Sequence, residues 1–313
     1  MTIATPLSGK KILITGPTGQ VARPVVEALA KSNQVYALAR FSKPEDEAEM
    51  KALGAETIKA DLASDALDNI PGGLDYVLNY AVVKTDDFEY DLRANAEGVG
   101  RLMMACRDVE AFIHFSSTAV YEYAGHEPRA ENSPLGDNHR MMFPTYSISK
   151  IAAETVARFV ARQFDIPTTI ARLSVPYGDN GGWPLYHLLM MQAGIPIDVH
   201  PDQPNSYNLL HAEDYIAKIP GLISAASSEV TTLNFGGSDA TSIEEWCAYL
   251  TELTGFEAQF QQNDKAFGSL AIDTTRMHEL IGETRIDWKS GVLSMIRSQC
   301  PALLKSEYQQ VVE

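Results

Sequence analysis

Lys11-Ile12-Leu13-Ile14-Thr15-Gly16-Pro17-Thr18-Gly19-Gln20-Val21-Ala22 is the stretch on which the fold turns. Lys11–Thr15 is a short apolar run ending at Gly16, and it predicts a β-strand. Gln20–Ser32 carries apolar residues at helical spacing and predicts the first helix. A glycine turn between a first strand and a first helix is a setting in which the main chain cradles a pyrophosphate. Gly16 permits the turn, and Gly19 lets the backbone approach the phosphates. The amides and dipole of the helix start then meet the negative charge. Gly16, Thr18, Gly19, Gln20 and Val21 are therefore expected to hold a dinucleotide. The third small position is Ala22 rather than glycine.

Outward from this turn, strand-like and helix-like patterns alternate. Further strands are expected at Gln34–Ala39, Glu56–Lys59, Asp75–Tyr80, Ala111–Ser116, Thr168–Arg172 and Thr231–Phe235. Helices are expected at Pro44–Leu53, Phe88–Arg107, Tyr146–Gln163, Ala212–Ser224 and Ser242–Thr254, the last opened by a Ser242/Glu245 capping box. Alternation at this spacing implies an α/β fold, a doubly wound parallel sheet of Rossmann type with ligands at the carboxyl ends of its strands. After Arg172 the pattern loosens, and Pro and Gly are dense from Pro176 to Pro204. We expect a dinucleotide-binding domain from residues 1–175 plus about 207–240. A small C-terminal substrate lobe would come from about 176–206 plus 241–313.

Composition narrows the partners. The 313 residues carry a formal net charge of −16, which repels nucleic acid and anionic membrane surfaces alike, so neither is expected as a partner. Cys106, Cys247 and Cys300 are too few and too dispersed for a disulfide framework or a paired-cysteine metal site. The histidines show no ligand spacing, and no metal is expected. His114 reads as a satisfied core residue and His211 as structural. Met1–Lys10 lacks an apolar leader core, and no apolar run approaches the roughly 18–20 residues of a membrane span. A cytoplasmic protein is the expectation.

The end of the second strand bears on the cofactor. An acid there would bind the ribose of NAD. This chain has Ala39 followed by Arg40, and a guanidinium can grip a 2′-phosphate that a carboxylate would repel. NADP(H) is therefore preferred over NAD(H). Asp61 and Leu62, past the third strand, are placed near the adenine, and Tyr80 and Ala81, past the fourth, along the same groove.

The catalytic signal lies further on. Phe112-Ile113-His114-Phe115-Ser116-Ser117-Thr118 ends the fifth strand in hydroxyls, and Pro144-Thr145-Tyr146-Ser147-Ile148-Ser149-Lys150 opens the next helix. Tyr146 and Lys150 are four residues apart and share a helix face. Hydride transfer to a carbonyl needs a proton donor at oxygen, and a free tyrosine at about 10 is too weak an acid. A neighbouring ammonium favours the phenolate. Ser117 can orient the substrate oxygen.

With these residues in this order, the chain resembles the extended short-chain dehydrogenase/reductase superfamily, in its NAD-dependent epimerase/dehydratase branch. The matching stretches run from Ile12 to about Ile286. They include the glycine turn, Asn95 with Gly98, Ser116-Ser117 through Tyr121, Tyr146 with Lys150, Arg172 through Tyr177-Gly178, His211 with Asp214, and Asn234 through Gly237. The resemblance implies that Ser117 orients substrate, Tyr146 is the acid/base, Lys150 binds the nicotinamide ribose, and Asn95 supports a water-linked proton relay. It also implies a possible homodimer through Phe88–Arg107 and Tyr146–Gln163. Two positions depart from the pattern: Glu122 stands where relatives have glycine, and Asn79 where many have histidine.

For the substrate, there is no Lys or Arg between Arg172 and Lys218. The same region offers Trp183, Tyr186, Leu188, Leu189, Met190 and Met191, with Met141, Met142 and Phe143 just before Tyr146. Val83, Ser117, Thr118 and Tyr186 are expected to contact a small-molecule substrate. A neutral, fairly apolar carbonyl or alcohol in a net oxidoreduction is the first reading. A sugar-nucleotide epimerase or dehydratase with a regenerated cofactor is the alternative.

Overall fold

The computed structural model describes residues 7–64 and 66–309, so the first six residues of the leaderless start expected above lie outside them. Seven strands form one parallel sheet: β1 (Lys11–Thr15), β2 (Gln34–Ala39), β3 (Glu56–Lys59), β4 (Tyr76–Asn79), β5 (Ala111–Ser117), β6 (Thr168–Leu173) and β7 (Thr231–Phe235). Their order is β7-β6-β5-β4-β1-β2-β3. The direction of winding reverses at β1, which lies between β2 and β4, and there the loop after β1 opens into the crevice that such sheets offer to ligands.

Side chains alternate across the sheet and feed two cores. Ile12 and Ile14 join Val25 and Val26 of α1 (Ala22–Leu29), together with Leu233 and Phe235. Leu13, Val77, Phe112 and Ile170 face the other way, onto α4 (Gly98–Ala105) and α5 (Tyr146–Phe164). Gly100 brings these two helices together, because a Cβ there would sit 2.8 Å from a methyl of Val156. The expected helix Phe88–Arg107 is not uniform. It runs as α3 (Phe88–Leu92), a π-helical turn Arg93–Glu97, then α4.

A third core gathers around Trp246, Cys247 and Leu250 of the helix Ile243–Thr254. Met295 and Ile296 of Trp288–Gln299 and Leu188 and Met191 of Trp183–Ala193 pack against them. The expected capping box of Ser242 and Glu245 is present. The helix Trp183–Ala193 was not foreseen, although Pro184 in its first turn and left-handed Gly194 at its end are ordinary helix boundary marks. The expected helix Ala212–Ser224 is broken into Ala212–Ala217 and Ile219–Ser224, with Pro220 in the first turn of the second. No helix among the described residues is long and apolar enough to cross a membrane.

Candidate active site

The glycine turn does what its sequence implies. Gly16 has φ +62°, and a Cβ there would lie 3.0 Å from the Cα of Ala81. The Gly19 amide folds back onto the Gly16 carbonyl at 3.0 Å. Gly16, Thr18, Gly19, Arg40, Asp61, Leu62, Tyr80 and Ala81 line one groove, as expected of them, and Val83 and Asn95 close its inner end. Gln20 and Val21 do not line it. Gln20 is exposed, its carbonyl accepting from Asn180 Nδ2 at 2.6 Å, and Val21 packs half-buried against the core. The groove fits a dinucleotide on two counts. Its floor leaves a Cβ at left-handed Gly16 only a strained place against Ala81, and the buried Tyr80 hydroxyl, its ring stacked on Phe115 at 3.8 Å, has no partner among the described residues.

At the outer end, Arg40 Nη1 donates to the Tyr90 hydroxyl at 3.0 Å, and Tyr90 donates onward to Asp61 Oδ2 at 3.4 Å. Ser42, Lys43 and Asp46 stand beside Arg40 in the groove wall and were missed. Their signal was their position just past a strand end.

The catalytic set converges. Ser117 ends β5, its Oγ accepting from the Ala119 amide at 3.1 Å. Tyr146 opens α5, and its phenol lies beside the Ser117 hydroxyl. Burial raises the Tyr146 phenol above its ordinary value, and Ser117 pulls the other way without reversing it. The sequence argument expected a lowered phenol, and here desolvation outweighs every stabilising group. Lys150, one turn on, is 4% exposed and donates to the Phe115 carbonyl at 2.8 Å. Burial brings its ammonium down to about 8, against a Glu154 carboxylate that favours the charge and a Lys84 that opposes it.

Asn95 sits in the π-helical turn. Its Oδ1 accepts from Val83 N at 2.8 Å, and its Nδ2 donates to Val83 O at 2.8 Å and to Ser149 Oγ at 3.0 Å. Thr118 is buried in the short turn after β5. Tyr186 is 64% exposed and lines neither cavity described here.

Behind the site, Arg172 grips Glu154 with two bonds, Nε–Oε1 at 2.9 Å and Nη2–Oε2 at 2.8 Å, both side chains 3% exposed. Ser116 Oγ donates to the same carboxylate at 2.6 Å.

Several neighbours escaped the sequence reading. The Lys84 ammonium lies 4.4 Å from the centre of the Phe143 ring and 5.4 Å from that of Tyr146. His139 stacks on Phe267 at 4.2 Å and sits 6.0 Å from Tyr146. Tyr123, His139, Lys265 and Phe267 line a second, smaller cavity. The absence of Lys and Arg between Arg172 and Lys218 therefore does not leave the site without a cation, because Lys84 reaches it from another part of the chain. Leu188 and Met191 are core, and Trp183 packs against them. His114 is only half satisfied: its Nδ1 meets Asn79 Nδ2 at 3.0 Å, and its buried Nε2 has no partner among the described residues. His211 caps a helix by accepting from Glu213 N at 3.3 Å.

Comparison with known proteins gives a consistent picture. The model of the NAD dependent epimerase/dehydratase family matches residues 12–234. A trifunctional UDP-glucose 4,6-dehydratase/UDP-4-keto-6-deoxy-D-glucose 3,5-epimerase/UDP-4-keto-L-rhamnose-reductase of Arabidopsis thaliana is 28% identical over 66% of this chain. The match spans only 34% of that plant protein. A dTDP-4-dehydro-6-deoxy-D-allose reductase from Streptomyces sp is 23% identical over 88% of this chain and 91% of its own. Among solved structures, the UDP-glucuronic acid 4-epimerase of Bacillus cereus, in complex with UDP-glucuronic acid and NAD, superposes with TM-score 0.78 at 20% identity. It covers 92% of this chain and 98% of that one. The UDP-N-acetylglucosamine 4-epimerase of Methanobrevibacter ruminantium M1 gives 0.80 at 16% identity, over 93% and 98%.

Proposed function

The chain belongs to the NAD dependent epimerase/dehydratase family, and on that premise we propose that it epimerises or dehydrates a sugar nucleotide, restoring its nicotinamide cofactor in each cycle. The observation that carries the proposal is the juxtaposition of Ser117 and Tyr146 with Lys150 buried one turn behind. This arrangement can hold and move a proton at a substrate oxygen. Bound between the glycine turn and α5, the nicotinamide would supply reversible hydride exchange at the carbon bearing that oxygen. Tyr146 takes the hydroxyl proton as a carbonyl forms and returns it afterwards. Ser117 fixes the oxygen within reach of the phenol. Lys150 stabilises the phenolate through its charge, and Asn95 holds Val83 and Ser149 at the edge of the site. Lys84, 5.4 Å from the centre of the Tyr146 ring, supplies positive charge where an anionic substrate would lie.

The relatives favour this reading over the neutral carbonyl expected from the cation-poor stretch, because those with stated activities work on UDP- or dTDP-linked sugars. The cofactor is a nicotinamide dinucleotide. Arg40 and Lys43 beside the groove favour the 2′-phosphate of NADP(H), whereas the Bacillus cereus structure contains NAD. Titration of the protein with NAD+ and NADP+ decides between them: tighter binding of NADP+, lost in Arg40→Asp, is the expected outcome.

Incubation with each cofactor and a panel of UDP- and dTDP-sugars, read by NMR of the sugar, tests the reaction. Isomerised or dehydrated sugar without net cofactor consumption is expected. Stoichiometric oxidation of NADPH by simple aldehydes or ketones, with every sugar nucleotide inert, would overturn the proposal.

A further inference from the structure

Asp91 is 0% exposed, and no basic side chain lies within ion-pair distance of it among the described residues. Burying a carboxylate without a cation is expensive unless donors surround it. Here they come from two places. Thr85 donates its amide to Oδ2 at 2.9 Å and its hydroxyl to Oδ1 at 2.7 Å. Thr145, the residue before Tyr146, donates its hydroxyl to Oδ2 at 2.6 Å. Burial pushes the carboxyl up, and these bonds outweigh it and hold it below the ordinary carboxylate range. One turn along the same helix, Asn95 holds both main-chain groups of Val83 and the hydroxyl of Ser149. The segment 83–85 is thus pinned on both sides of Lys84, and the first turn of α5 is pinned on both sides of Tyr146.

We propose that Asp91 is a positioning residue for the reaction, and that with Asn95 it clamps the Lys84 segment and the Tyr146 turn into one rigid unit. The clamp fixes two things that catalysis needs together: the phenol against Ser117, and the ammonium of Lys84 beside the phenol ring. A carboxylate suits the task because its two oxygens accept from both segments at once, and each such bond is charge-assisted. Oδ2 alone takes the Thr85 amide and the Thr145 hydroxyl, so removing the carboxylate altogether releases both segments.

This inference rests on the proposed reaction for its kinetic arm but not for its structural one. Hydrogen exchange of the full-length protein, with NADP+ or NAD+ added as probe, should show faster exchange at residues 83–86 and 145–149 in Asp91→Ala and in Thr145→Val. Protection in the helix Ile243–Thr254 and cofactor binding should be unchanged. With the UDP- or dTDP-sugar found active, kcat should fall about 100-fold in both variants while KM moves far less, the scale of a small misplacement of reacting groups. Thr145→Ser, which keeps the hydroxyl, should restore both readouts. Unchanged exchange at the two segments, or Thr145→Ser as damaging as Thr145→Val, overturns the clamp. Should no sugar nucleotide react with the unaltered protein, the proposed reaction fails while the exchange data still decide the clamp.

Discussion

The two ends of the crevice are built from different materials. The cofactor end is made of main chain: a left-handed glycine, a close approach to Ala81 and the start of α1. The catalytic end is made of side chains drawn from far apart in sequence: Asp91, Ser117 and Tyr146 come from different elements, and Asp91 is tied to Thr145 beside the tyrosine by a 2.6 Å bond. At the glycine turn itself a backbone cradle is sensitive to an added atom rather than to a changed functional group. A side-chain assembly tolerates no changed functional group, even where the shape is kept.

Tyr146→Phe probes the catalytic end hardest. It keeps the ring and removes only the proton donor, so turnover should drop about 10²–10⁴-fold with cofactor binding intact, as titration and kinetics would show. Equal turnover would erase the contrast. Next, Glu154→Ala strips the partner from buried Arg172 and leaves Ser116 without its acceptor, and thermal or denaturant unfolding should report a loss of about 3–5 kcal/mol. At the cofactor end, Gly16→Ala adds a single methyl against Ala81 in a left-handed conformation. The strain is about 1–3 kcal/mol, so cofactor affinity should weaken by roughly tenfold or more while kcat at saturating cofactor changes little. A Gly16→Ala protein with normal affinity but low kcat would mean that the two ends are not separable.

The mildest effect is on pH dependence. Lys150 has its folded value lowered to about 8, so its charge is present below that pH and lost above it. Turnover should decline as pH rises past about 8, and residual turnover in Lys150→Met should lack this limb.

The same contrast explains what the sequence could disclose. β1 and β2 fall on the residues expected because a parallel strand buried on both faces writes itself as a continuous apolar run; β7 also falls where expected, as does edge strand β3, whose signal was its place in the alternation of strands and helices. The glycine turn, Tyr146 with Lys150 and the Ser242 cap were legible because each is a local spacing. Lys84, Asp91 and His139 were not, since their roles depend on contacts across dozens of residues that no local pattern encodes. The π-helical turn left no mark either. The helix Trp183–Ala193 is different, because its Pro184 and Gly194 boundaries were readable and the surrounding loop-like composition obscured them. The stretch between Arg172 and Lys218 could not announce Lys84 for the same reason of range.

The wide turn Arg93–Glu97 has one more consequence. Each α-helical residue advances about 100° around its axis, so one extra residue in a coil resets the facing of everything after it. Upstream of that reset, Asp91 faces Thr85 and Thr145. Downstream, Leu102 and Met103 look into the apolar interior. A single rod thereby serves two masters, and shortening it by one residue would swing its two halves out of phase, leaving the fold with a choice between a sound interior and a working centre.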